Sequence, residues 1–244
     1  MKSFNEQYED VKNFFKEKGH YAMATPPKID LSCGIDNIDS ETVQFIEDEL
    51  KYGKLTDNLF DDIKKTLLKL SANTKYDQDA SEDELNDFVR DLLSSCGYDI
   101  KDQTRQGYSA NSKSKRKRSG ELDLLMCKDG IPIAIYEALK ISNVNKNIIV
   151  AHIEKAIKNY NPQGIKNTFV VIYYPKDIKF GEFWNGVVTC VKGLKNKIGG
   201  YDIAWGKEYL SDASAFKSIS GKYRSDNQEH TINLMAIRVI NAQC

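Results

Sequence analysis

The sequence predicts an α/β protein: a mixed central sheet flanked by helices, with a small N-terminal helical appendage. Three observations carry that reading. Apolar residues recur at three- and four-residue steps through much of the first 75 residues and again over 81–97, which is the helical period. Beyond residue 97 the chain changes to short β-prone runs, among them LDLLM, IPIAIYEAL and NTFVVIYYP. Two further helical segments are interleaved with those runs, as helices layered on a sheet require.

The elements follow in order. Residues 3–19 form an amphipathic stripe through Phe4, Tyr8, Val11, Phe14 and Phe15. ATPPKIDLSCGIDN then breaks the period with two prolines and a glycine. DSETVQFIEDELKYG restarts it, with Asp39 or Ser40 as N-cap and Gly53 as stop, and LTDNLFDDIKKTLLKLSAN reads as a third helix. Residues 1–75 are thus the expected helical appendage, and 76–244 the main domain. TKYDQDASEDE is a polar linker into SEDELNDFVRDLLSSCGY. There Ser81 caps the helix, Glu84 completes a capping box, Leu85, Phe88, Val89, Leu92 and Leu93 form the buried stripe, and Gly97 ends it. YDIKDQTRQG alternates weakly, NSKSKRKRSG is a polar basic loop, and a hairpin over 121–141 turns at CKDG. NIIVAHIEKAIKNYN reads as a helix, NTFVVIYYP as a strand, FWNGVVTCVKGLKNK as a helix, and YDIAWG and TINLMAIRVIN as closing strands.

Bulk properties exclude several classes. The 244 residues are 41% hydrophobic and 29% charged, the composition of a soluble globular chain. Formal net charge is zero, so a nucleic-acid or membrane argument must rest on local clusters. The five cysteines, Cys33, Cys96, Cys127, Cys190 and Cys244, are widely spaced with no CxxC. That argues against a disulfide framework or zinc knuckle and predicts reduced thiols in a cytoplasmic protein. The N-terminal segment has no apolar core of a signal peptide, and no apolar run approaches the ~18 residues of a membrane span. No G-x-x-x-x-G-K-[ST] loop is present, so no NTPase motor is expected.

The chemistry concentrates in GELDLLMCKDGIPIAIYEALK, residues 120–140. Acids are poor strand residues and costly to bury, yet Asp123 falls on the first arm of the hairpin and Glu137 on the second, with Lys140 just beyond. Carboxylates on adjacent strands converge on one point. Hard divalent cations take such oxygen ligands while keeping waters and substrate phosphate oxygens, and an amine nearby adds positive charge or helps deprotonate water.

GELDLLM, followed about fourteen residues on by IAIYEALK and preceded by SEDELNDFVRDLL…GY, resembles the PD-(D/E)xK, or restriction-endonuclease-like, nucleases over roughly residues 80–205. The likeness is strongest to nuclease domains of prokaryotic defence and restriction proteins. It implies a restriction-endonuclease-like sheet and a Mg²⁺-dependent endodeoxyribonuclease, with Mn²⁺ able to substitute and a role in anti-phage defence or restriction. Asp123 and Glu137 would hold the metal, Lys140 would act on the nucleophile or transition state, and an acid of the preceding helix would assist through water. Glu82 is the expected helix acid and Glu84 its rival. One departure stands out. The family spacing is Glu-x-Lys, which puts both side chains on one strand face, but this chain has Glu137-Ala-Leu-Lys140. A β-bulge near Ala138 or Leu139 could re-aim Lys140, the following helix could supply the amine as Lys155, or the site has lost its lysine.

Around this core, KSKRKR (Lys113–Arg118) leads straight into the Asp123 strand. Lys115, Arg116, Lys117 and Arg118, with Arg105 and more weakly Gln103 and Ser109, are expected to contact nucleic acid, on the present reading double-stranded DNA. Glu121, on the face of Asp123, reads as solvated or as a support behind the metal ligands, His152 as a structural or surface histidine, and Lys158 as a phosphate contact or solvated residue. The N-terminal helices would serve a homodimer or a regulatory protein partner, since cutting both strands needs two sites or two visits. Two other readings share the fold: a nucleic-acid-binding module with decayed catalysis, and an RNA-directed nuclease.

Overall fold

The computed structural model describes residues 51–102, 123–159, 161, 164–176, 178–194, 198–209, 214–225 and 228–240. The chain divides into two compact units, Met1–Leu59 and Phe60–Cys244. In the first, residues 51–56 are helical.

The second unit is mixed α/β. Its elements run α1 (Leu59–Ser71), α2 (Glu82–Ser95), β1 (Asp99–Asp102), β2 (Leu124–Lys128), β3 (Ile131–Lys140), α3 (Lys146–Glu154), β4 (Asn167–Tyr174), α4 (Phe180–Lys192), β5 (Ala204–Tyr209), β6 (Phe216–Ser225) and β7 (Gln228–Arg238). A single π-helical turn, Lys155–Asn159, continues α3. The strands form one seven-stranded sheet in the order β1-β2-β3-β4-β7-β6-β5. The β3–β4 and β4–β7 pairs are parallel and the remaining pairs antiparallel.

The parallel centre reads in sequence as unbroken apolar runs. Seven of the eight residues of β4 are buried, because helices cover both faces there. On one face α3 and α4 pack over Leu125, Ile135, Leu139, Val170, Ile172 and Leu234. Each fully buried aliphatic side chain of this kind contributes roughly 1.5–3 kcal/mol. The opposite face carries α2, whose buried stripe is Leu85, Val89 and Leu93. Alternation along β4 points Tyr173 to that side, where its hydroxyl donates to Asn86 Oδ1 at 2.8 Å.

Local sequence rules set the ends of α2. Ser81 accepts the Glu84 amide while Glu84 reaches back to the Ser81 amide, the reciprocal box that the S-x-x-E spacing predicts. Gly97, at φ 87°, supplies the left-handed residue that stops the helix. The expected third helix of the appendage, α1, belongs to the sheet-bearing unit: Ser71 Oγ donates to the Arg238 carbonyl at 2.6 Å and Tyr98 donates to Asp62 at 2.8 Å.

β6 is a strand that the sequence pattern does not announce. Its serines and Gly221 weaken the strand signal. The tertiary partner supplies what propensity lacks: β6 runs ten residues against β7, and a Cβ at Gly221 would lie 2.9 Å from the Trp205 ring of β5. No helix among the described residues is long and apolar enough to cross a membrane.

Candidate functional site

The site grows from the β2–β3 hairpin. Asp129 and Gly130 both adopt left-handed φ, 51° and 76°, as a two-residue primed turn requires. Pairing starts Lys128↔Ile131 and Cys127↔Pro132, then resumes at Met126↔Ala134. Ile133 is therefore an extra residue on β3, a bulge beside a proline that could not have donated to the ladder. The last described pair is Leu124↔Tyr136, and one step further sets Asp123 against Glu137. Without the bulge Asp123 would meet Tyr136, and the two carboxylates would leave opposite faces of the sheet. A bulge does shape this site, then, but at Ile133 and not near Ala138 or Leu139.

Asp123 sits one residue ahead of β2 rather than inside it, and its Oδ2 accepts the Ala138 amide at 2.7 Å. Glu82, the first residue of α2, accepts the Lys140 amide on Oε2, also at 2.7 Å. Both amides leave β3 on the side of β2, beyond the last described β2–β3 pair. Two carboxylates thus cap this stretch of strand edge, two residues apart.

Glu137 lies on the face of α3 and is fully buried. Its Oε1 accepts from Lys155 Nζ at 2.8 Å and from His152 Nδ1 at 2.9 Å. Its Oε2 is buried with no hydrogen-bond partner. A buried carboxylate oxygen without a protein donor is costly, and in a native site it calls for a water, an ion or a ligand. Burial pushes the Asp123 carboxyl up to about 7, and the negative charge of Glu137 adds to that, with Glu82 contributing less. Burial likewise raises Glu82, against the Lys140 amide that lowers it. Asp123 and Glu82 thus both feel the charge of Glu137.

Lys140 is elsewhere. β3 pairs with β4 without interruption through Ala138↔Val171, Leu139↔Ile172 and Lys140↔Tyr173, so Lys140 leaves the face opposite Glu137. Its ammonium donates to the carbonyls of Gln78 and Ala80, each at 2.6 Å. The amine beside Glu137 is Lys155. Glu84 is spent on the capping box and Lys158 pairs with Glu154 at 3.8 Å, so neither joins the group. His152, expected as a structural or surface residue, does join it. The available signal was the three-residue step from His152 to Lys155, which puts both on one helical face. Arg105, Lys115, Arg116, Lys117 and Arg118, with Gln103, Ser109 and Glu121, lie outside the described residues.

Among the described residues no three His, Cys, Asp or Glu side chains form a group able to hold a metal ion. Asp123 and Glu137 still offer a donor set that suits Mg²⁺: two hard carboxylates, one with an orphaned buried oxygen, with Glu82 nearby. Mg²⁺ commonly takes one or two protein carboxylates and completes its shell with waters and phosphate oxygens. No protein-family model matches the chain, and no curated protein and no solved structure is significantly similar to it.

Proposed function

We propose that the chain is a metal-dependent nuclease that hydrolyses phosphodiester bonds of DNA, with Asp123, Glu137 and Lys155 at its centre and Glu82 assisting. The observation that carries this is the state of Glu137: a buried carboxylate with an ammonium on one oxygen, no protein donor on the other, and the Asp123 carboxyl close enough to feel its charge. A hard divalent cation, Mg²⁺ or Mn²⁺, would supply a polarised water and neutralise charge on the scissile phosphate. The chain's residues do the rest. Asp123 and Glu137 furnish the oxygen ligands. Lys155 holds positive charge where negative charge builds as the water oxygen bonds to phosphorus and the leaving oxygen departs. Glu82, partly buried, orients water through its carboxylate. The basic run Lys115–Arg118 would bind the backbone that brings the phosphate in. A restriction-endonuclease-like identity, a defence role, and a homodimer or regulatory partner belong to the same proposal and rest on the motif resemblance.

The test is plasmid cleavage with Mg²⁺ or Mn²⁺ against an EDTA control, with single-stranded DNA and RNA in parallel. Nicked or linear product only with metal supports the reading, and product from RNA alone changes the substrate. A second reading, a binding module with decayed catalysis, is favoured by the absence of a three-ligand group among the described residues. Metal-independent retention of DNA with no cleavage of any substrate would establish it in place of the nuclease.

A further inference from the structure

Lys140 makes an arrangement that neither a solvated surface lysine nor a catalytic one would need. Its ammonium gathers two main-chain carbonyls, Gln78 and Ala80, at 2.6 Å each. They lie three residues and one residue before Ser81, the N-cap of α2. Its own amide donates to Glu82 Oε2, in the first turn of the same helix, at 2.7 Å. One residue at the end of β3 therefore holds the entry to α2 from two sides. The ammonium fixes the incoming chain, and the amide fixes the carboxylate that follows the cap.

The geometry points to Lys140 as a positioning residue that sets the Glu82 carboxylate beside Asp123 and Glu137. Three facts favour this over a solvated lysine. The ammonium is engaged by directed carbonyl acceptors. Those acceptors belong to a linker whose own hydrogen bonds are local turns, the Ala80 amide to the Asp77 carbonyl and the Asp79 amide to Asp77 Oδ1, so it is Lys140 that ties this turn to the end of β3. And Glu82, unlike Asp83 and Glu84 in the same turn, is turned onto the strand edge that Asp123 also caps. The anchor further along α2, Asn86 to Tyr173 and Tyr173 to Tyr136, holds the helix one turn later, which leaves the N-terminal end to Lys140. The four-residue run Glu137–Lys140 then has a use: Lys140 faces α2 because Glu137 faces α3.

This inference rests on the nuclease reading for its effect on rate but not for its effect on structure, so two readouts are taken on the full chain. The first is amide hydrogen exchange at residue 140, corrected for intrinsic rate. Lys140→Met keeps the backbone donor and the methylene stem but loses the ammonium. Protection of that amide is expected to fall about tenfold, the net worth of one hydrogen bond, to the level found in Glu82→Gln, with the Ala138 amide unchanged. Lys140→Arg is expected to restore it. The second readout is cleavage rate against Mg²⁺ concentration. Lys140→Met and Glu82→Gln are each expected to lower the rate about tenfold with matching shifts in the Mg²⁺ midpoint, and the double variant to be no worse than either single one. Unchanged protection at residue 140 in Lys140→Met overturns the inference whatever the activity, and so does strict additivity of the two substitutions. Loss of protection in a protein that cuts nothing with any metal supports the positioning role and removes the nuclease reading alone.

Discussion

Lys155 Nζ lies 2.8 Å from Glu137 Oε1, although fifteen residues separate Lys155 from Lys140, the lysine that the motif spacing singles out. The amine reaches the acid from a helix and not from the strand. Lys155→Met is therefore expected to reduce cleavage by roughly 10²–10⁴-fold, the usual worth of a positioned proton-transfer group. It also leaves Glu137 short of a cation. A stability loss of about 1–3 kcal/mol follows, smaller than for a fully buried pair because Lys155 is about 30% exposed and His152 remains on the same oxygen. Lys155→Arg should recover stability better than rate. A Lys155→Met protein that cuts at the wild-type rate would remove Lys155 from the mechanism.

Asp123 gives the metal-free protein a pH-dependent stability. Its carboxyl is raised from 3.8 to about 7, so the folded state holds the proton more tightly than the unfolded chain does. The sign follows: stability is highest below about pH 4 for this group, declines as pH rises between the two values, and levels off above 7. The full difference amounts to at most about 4 kcal/mol at 1.36 kcal/mol per pH unit. Asp123→Asn should flatten the decline and stabilise the protein at pH 8 while abolishing cleavage. Urea midpoints from pH 4 to 8 measure this, and parallel slopes in the two proteins would contradict it.

Divalent cation should reverse that penalty. Binding that favours the charged carboxylates stabilises the native state by RT ln(1 + [L]/Kd), about 2.7 kcal/mol at a hundredfold excess over Kd. The melting temperature of the wild type should rise with Mg²⁺ or Mn²⁺, more at pH 8 than at pH 6, and should not move in Glu137→Gln or Asp123→Asn. Equal shifts in all three proteins would mean that the ion binds elsewhere.

Neutralising Arg116, Lys117 and Arg118 together should weaken DNA binding alike on every sequence and lower the slope of log K against log salt by about 0.9 per lost phosphate contact. Fluorescence anisotropy at four salt concentrations reads this directly. An unaltered slope would make the basic run a bystander.

The sequence by itself determined the parts that depend on neighbours along the chain. The Ser81–Glu84 box, the stop at Gly97 and the Asp129-Gly130 turn are set within a few residues by capping and left-handed backbone. The apolar runs of β3 and β4 announced strands of a mixed sheet flanked by helices, and two acids beside such runs announced a candidate site. What only the tertiary structure decided depends on register and on elements distant in sequence. The extra residue at Ile133 turns Asp123 onto the face of Glu137, and nothing in a period-two reading marks it beyond Pro132. His152 comes from α3 and the amine from the π-helical turn that continues it, because the crossover from β3 to β4 lays that helix over the Glu137 face. Lys140 goes to α2 because strict alternation sends it to the other side, where the carbonyls of Gln78 and Ala80 await it. A strand's faces are fixed by counting, but which helix covers each face is fixed by burial of the whole sheet, and that choice assigned the two lysines their partners.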